Sequence, residues 1–449
     1  MLYPSGIDSY LNELFKGVRT LITKTRFLVT LFLVVVGMAF QTVAQEHWPE
    51  FRGPLGNGVA PDAKNPPKQW SETENITWKT AIPHKGWSSP AILDDQIWLT
   101  TATEDGKDYF VVQVNAESGE IELDEKLFHT DDPEPLGNNV NRYASPSSVL
   151  EEGRVYVHFG TYGTACLDTN TKKVLWKRDD LNCRHYRGPG SSPILFENLL
   201  ILTFDGVDVQ YTAALNKLTG ETVWQKERGT VFDDLTEDGT PFMDGDRRKS
   251  FSTPVVVDVD GKPVMVSPAA FAVYAYDPRT GEEIWKVTHE SHTAQIRPVY
   301  ADGVIYVTTG YSPTEVFAIR VDGKGDVTSS HVNWRVKEMR LPATPSSLLV
   351  DGLLYLGTDK GDVNCLNAET SELVWSERIG GSYVASPIYA DNKLYFFSTQ
   401  GKSTVMKAGR KTKILAENRL DDGCLATPAM LGDALIYRSK THLYRIETN

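Results

Sequence analysis

Residues 275–285 read AYDPRTGEEIW, and the chain says nearly the same thing four more times. Residues 214–224 are ALNKLTGETVW, 166–176 are CLDTNTKKVLW, 365–375 are CLNAETSELVW, and 113–123 are a worn copy, QVNAESGEIEL. Apolar residues ahead of Asp or Asn end a strand. The Asp/Asn-x-x-Thr-Gly stretch then supplies local side-chain hydrogen bonds and a residue suited to positive φ, and a strand carrying Trp follows. Each copy is therefore a tight turn between two strands.

A second phrase, small residues before Pro and then an apolar run, recurs at Pro90, Pro146, Pro193, Pro254, Pro298, Pro345, Pro387 and Pro428. The run that follows is a hairpin around Asp-Gly or Asp-Asn, as in VYADGVIYVTTG (299–310). Eight Pro sites match eight Trp-equivalent sites: Trp78, Leu123, Trp176, Trp224, Trp285, Trp334, Trp375 and Ala416. Four short strands repeated every 41 to 61 residues specify a β-propeller, since no blade can bury both its faces alone. The expected fold is all-β and eight-bladed. The last repeat contains three strands, so residues 76–80 (ITWKT) are expected to supply its fourth, closing the ring from both termini. Burial of the repeated Trp rings between blades is their expected role.

At 449 residues, 41% of them hydrophobic, the chain can bury a large core, and its 35 Gly and 24 Pro favour turns over long helices. Residues 27–40 (FLVTLFLVVVGMAF) form an apolar run behind Lys24 and Arg26, followed by small residues. The run is shorter than the ~20 residues that span a bilayer, so residues 1–44 read as a cleaved export signal. Residues 45–75 then form a lead-in and 76–449 the propeller, in the periplasm or outside the cell with no stable membrane span. Export would remove four cations and two anions and move the formal charge from −13 to −15. So acidic a chain is unsuited to general binding of nucleic acid. Cys166, Cys183, Cys365 and Cys424 form no CxxC pair and signal neither a disulfide scaffold nor a zinc site.

The pattern A-x-D-x-x-T-G-x-x-x-W resembles the repeat of the pyrroloquinoline quinone (PQQ) propellers. That family includes quinoprotein alcohol dehydrogenases and the outer-membrane assembly factor BamB, and the resemblance covers residues 76–446. The opening WPEFRGPLGNGV (48–59) resembles the lead-in of exported bacterial PQQ-like propellers of unestablished activity. The dehydrogenases use adjacent cysteines against the quinone, a calcium ion held by carboxylate and amide oxygens, and an Asp base. This chain has no adjacent cysteines, and no calcium ligands or base can be matched. PQQ and calcium are therefore not expected, and a binding or assembly scaffold is favoured over the alternative of a quinone-dependent or carbohydrate-active enzyme.

The Trp-to-Pro connectors are 11 to 13 residues long in five repeats but 23, 17 and 30 in three consecutive ones, which enlarges one side of a single face. Histidines 84, 129, 185, 289 and 292 all fall in connectors, with no repeated ligand spacing. Four to six residues before the Pro sites stand Lys85, Arg142, Arg187, Lys249 and Arg340, with His292 in a sixth repeat. Tyr143 and Tyr383 lie beside them, and His185 and Arg297 fall in the same connectors. A ring of cations at the channel mouth would attract an anionic ligand such as an acidic carbohydrate, with the tyrosines stacking on sugar rings. A glycan, another small molecule or another envelope protein is the expected partner.

Overall fold

The computed structural model describes residues 47–137 and 140–448. The proposed export segment 1–44 lies outside the described residues. Eight four-stranded antiparallel units follow one another around a channel: blade 1 (91–129), blade 2 (149–178), blade 3 (194–227), blade 4 (255–288), blade 5 (299–336), blade 6 (348–378), blade 7 (388–419) and blade 8. Blade 8 takes three strands from 429–446 and its outer strand, Ile76–Ala81, from the other end of the chain. Ile76 pairs with Ile446 and Ala81 with His442, so the ring closes as the repeat count requires. Two short 3-10 turns are the only helical elements among the described residues, and none of these is long and apolar enough to cross a membrane.

The repeat chemistry explains how the blades adhere. In the turns, the side-chain oxygens of Asn115, Asp168 and Asn367 accept the backbone N–H groups two and three residues on, at 2.6–3.1 Å. The Trp rings of 78, 176, 224, 285, 334 and 375 cross to the next blade. There their ring N–H donates to the carbonyl of Ala116, Lys217, Pro278, Val321, Ala368 and Gly409 respectively, at 2.9–3.1 Å. The Gly of the Thr-Gly turn therefore has a second task. At Gly220, φ is +76° and an added Cβ would stand 2.7 Å from the Trp176 ring, so the ring packs flat where any side chain would be. Where the preceding blade presents Leu123 in place of Trp, the turn position is Lys172.

This separates two costs that a glycine substitution usually confounds. Gly153 has nearly the same φ, +75°, with nothing within 4 Å of an added Cβ. Gly153→Ala is expected to cost about 1 kcal/mol, the left-handed backbone penalty alone. Gly220→Ala adds about 1–3 kcal/mol for displacing the ring. Urea unfolding of the two variants should show that difference, and equal midpoints would refute the cross-blade role of the glycine.

The lead-in is part of the propeller. Trp48, 1% exposed, exchanges two backbone hydrogen bonds with Ile92 on the innermost strand of blade 1. Leu150 of blade 2 donates to the Pro49 carbonyl, and Val59–Ala60 adds a parallel strand to Ile388–Ala390, the innermost strand of blade 7. Residues 48–60 thus lie across the channel as a plug. The chain then passes Asp433, which accepts the amides of Lys64 and Asn65, and reaches the outer edge of blade 8.

Candidate ligand site at the channel mouth

Two residues before each innermost strand, the eight connectors place Ser89, Ser147, Ser192, Thr253, Arg297, Ser346, Ser386 and Thr427 at equivalent points around the channel. Adjacent members are bonded to each other. The backbone N–H of Ser89 donates to Ser147 Oγ, that of Ser147 to Ser192 Oγ, and that of Ser192 to Thr253 Oγ1, at 2.9–3.0 Å. The series resumes with Arg297 N–H to Ser346 Oγ, Ser346 to Ser386 and Ser386 to Thr427, at 2.9–3.1 Å. The small residues that precede Pro in the sequence are this hydroxyl belt.

Arg297 is the one member without a hydroxyl. Its guanidinium, 3% exposed, reaches the plug instead, donating to the Phe51 carbonyl and pairing with the Glu50 carboxylate at 3.3 Å. Gly56 lies against that guanidinium so closely that an added Cβ would stand 2.4 Å from it. Arg52 of the plug donates to the carbonyls of Asn57 and Ser347, both at 2.6 Å. Burial and the neighbouring Arg297 charge lower the Arg52 pKa to about 9, while burial raises Glu50 despite its pairing with Arg297.

Above the belt is a cavity of about 510 Å³ lined from all eight connectors, with Phe51 of the plug at its floor and Trp87 and Phe251 in its walls. Because the plug crosses the channel, the cavity opens at one end. Its charged wall is a trio: Asp246 pairs with Lys249 and, at 3.3 Å, with Arg187. Lys249 is 2% exposed, and both cations lie against the Tyr186 ring, at 5.1 and 5.7 Å from its centroid. Burial lowers the Lys249 pKa against the pull of Asp246, whereas Lys249 and Arg187 together hold Asp246 down against its own burial.

Residues 269–415 match the sequence profile of the family described as outer membrane protein assembly factor BamB. The BamB of Yersinia pestis is 22% identical over 204 residues, covering 43% of this chain and 48% of that protein, so the match spans about half the length of the curated relative. The crystal structure of BamB from Moraxella catarrhalis superposes with a TM-score of 0.56 at 12% identity, over 83% of this chain and 99% of that one. Quinohemoprotein alcohol dehydrogenase from Comamonas testosteroni reaches 0.64 at 12% identity, over 90% and 81%. A europium-containing methanol dehydrogenase also reaches 0.64, at 10% identity, over 89% and 90%. The chain is an eight-bladed β-propeller similar in fold to these proteins.

The cavity of this propeller does not carry the donor set that the dehydrogenase resemblance implies. Cys166, Cys183, Cys365 and Cys424 are buried free thiols away from the cavity lining. The one lining carboxylate, Asp246, is shared by two cations, and no group of three potential metal ligands occurs among the described residues.

Three of the residues singled out from the sequence line the cavity: Arg187, Lys249 and His292. Arg142 stands behind the wall, 5.8 Å from the Trp87 ring centroid. Lys85 is half-buried and pairs through its backbone with Ala102, outside the lining. Tyr143 is buried against Tyr109 and Tyr162, with its hydroxyl on the Glu134 carbonyl. Tyr383 is buried between blades 6 and 7. Arg297 serves the plug. Arg340 is 74% exposed and pairs with Asp362. The expected ring of cations is therefore an arc of two that share one acid.

Counting back from Pro fails for a specific reason. Six of the Pro residues stand immediately before their innermost strand, but Pro146 and Pro345 stand three residues before theirs. The window is displaced at exactly those sites where it selected Arg142 and Arg340. Phe51, Trp87, Phe251 and the belt hydroxyls were missed as lining residues, although the recurring Ser and Thr before the innermost strands were a visible signal for the last.

His185, also singled out, is structural: its Nε2 accepts the Thr161 amide at 3.0 Å. Burial lowers its pKa to about 4 and that of neighbouring His158 to about 3. A histidine depressed in the folded state, against ~6.5 unfolded, gives its full stability contribution above pH ~6.5 and loses it as pH falls toward 4. Each should weaken the fold by about 2 kcal/mol at pH 5. His185→Gln, which keeps an acceptor for Thr161, should remove one share of that pH dependence in urea unfolding. An unchanged pH slope would contradict the assignment.

Proposed function

We propose that this propeller is an exported binding scaffold, working in the periplasm or outside the cell, that holds a compact ligand in its one-ended mouth. The observation that carries the reading is the cavity itself. Eight connectors and a dedicated plug enclose a volume within the roughly 300–1,000 Å³ typical of small-molecule sites, with aromatic walls and a few placed polar groups. The apolar run at 27–40 and the partial likeness to an outer membrane protein assembly factor support an envelope location. Native mass spectrometry of protein purified from its own envelope fraction tests the reading, with a non-covalent adduct displaced by Phe251→Ala as the expected result. A bare mass from wild type, with no thermal shift across a panel of sugars and sugar acids, would overturn it.

A second reading, in which another envelope protein docks on the rim, is favoured by the longest connector, which leaves Val231, Leu235, Phe242 and Met243 exposed beside the mouth. Cross-linking in envelope extracts that is lost in Val231→Asp with Phe242→Asp would select that reading.

A further inference from the structure

The belt has an unspent property. Ser147, Ser192, Ser346, Ser386 and Thr427 each accept a backbone N–H through their hydroxyl oxygen, yet none of these O–H groups donates to a described residue. Ser89, the remaining belt hydroxyl in the cavity lining, has no hydrogen-bond partner for its Oγ among the described residues. All six line the cavity and none is more than 4% exposed. A hydroxyl whose oxygen already accepts an amide proton has its own proton left to place, and here the open direction is the cavity. The blind end is therefore a ring of donors around Phe51.

Charge points the same way. Under the floor, Arg297 pairs with Glu50 while Arg52 is held by backbone carbonyls alone, and in the wall Arg187 and Lys249 face one carboxylate, Asp246. Each group carries one cation in excess, in a chain whose formal net charge is −13. Convergent O–H donors over buried positive charge favour an acceptor with negative charge. The aromatic floor and walls favour a ring with an apolar face, and the plug prevents a polymer from threading through.

We infer that the blind end takes the terminal uronic acid of a carbohydrate end-on, with its carboxylate within the hydroxyl belt and its ring against Phe51. This rests on the reading of the mouth as a ligand site and names the ligand class for it. The chain beyond the terminal sugar leaves through the open mouth past Trp87 and Phe251. The belt differs from a cation ring in that its selectivity comes from neutral donors held in register by the backbone, so it survives the sharing of Arg187 and Lys249 by Asp246.

Ser89 permits a clean test, because its hydroxyl takes no belt hydrogen bond and Ser89→Ala deletes a donor without breaking the ring. Calorimetric titration with D-glucuronic acid and its methyl ester, at fixed ionic strength, should show the acid binding at least tenfold tighter, since the ester keeps the ring and loses the charge. Ser89→Ala should weaken the acid about tenfold, the scale of a hydrogen bond to a charged group, at an unchanged melting temperature. Ser89→Thr should retain most of the affinity, because Thr occupies the equivalent position at 253 and 427. Equal affinity for acid and ester would overturn the inference while leaving the ligand site standing. Acid binding indifferent to Ser89→Ala would overturn the belt as its seat. No binding of either compound would overturn the uronic acid assignment, and the native mass measurement then decides separately whether the mouth holds any ligand.

Discussion

A chain that stops after Ser439 should show no cooperative unfolding transition. The lost strand His442–Ile446 lies between the rest of blade 8 and Ile76–Ala81, so its removal both unpairs the closing strand and opens the ring. Leu443, Tyr444 and Ile446 are fully buried, and at about 2 kcal/mol each their burial alone contributes roughly 6 kcal/mol. That is comparable with the ~5–15 kcal/mol of a whole domain's stability, before the ladder hydrogen bonds are counted. Two newly exposed strand edges would add association between chains. Calorimetric melting and light scattering check this. A circular permutant that joins the natural termini and opens the chain in the exposed hairpin at Gly261, where nothing lies within 4 Å, should melt cooperatively. A cooperative melt in the truncated chain, near the wild-type temperature, would show that blade 8 does not close the ring.

Arg297→Ala should destabilise the protein by about 2–4 kcal/mol, because it leaves the partly buried Glu50 carboxylate, 18% exposed, without its cation and frees the Phe51 carbonyl. The sign of the pH dependence follows from Glu50. Burial raises its folded pKa above the unfolded value near 4.5, so the penalty is absent below that pH and grows as pH rises through the folded pKa. The deficit of Arg297→Ala should therefore be larger at pH 8 than at pH 4.5, and adding Glu50→Gln should recover part of it at pH 8. The control is Arg320→Ala, whose side chain is 43% exposed and pairs with Asp322 at 3.7 Å, where a loss under about 1 kcal/mol is expected. Urea midpoints for the four proteins decide the matter, and an Arg297→Ala variant as stable as Arg320→Ala would remove the plug's anchor.

The anchor also shows why the site was harder to read than the fold. Arg297 and Arg340 are both connector cations, and nothing in their local sequence distinguishes them. One turns inward because its neighbour across the channel is the plug, 246 residues away at Phe51, and the other turns outward to Asp362. Arg187 and Lys249 do reach the cavity, but Asp246, from the connector that carries Lys249, meets both of them there. A window counted from Pro assumes that sequence distance fixes radial position. It holds at Arg187, Lys249 and His292, and it fails at Pro146 and Pro345 and again at Lys85, although Pro90 abuts its innermost strand.

The number of blades, the turns, the Trp rings between blades and the closure by residues 76–80 are all legible in the sequence. Each is a local pattern repeated many times, so turn chemistry and strand alternation express it within one blade and its neighbour. The blind end of the channel emerges only on folding: residues 48–60 return to cross it, Arg297 leaves the belt to hold them, and six hydroxyls are left facing a cavity floored by Phe51. The plug occurs once, with no repeat to average over, and its contacts join residues up to about 330 positions apart. Which polar groups meet at such distances follows from the packing of the closed ring, where burial forces every charge and amide to find whichever partner the geometry brings near.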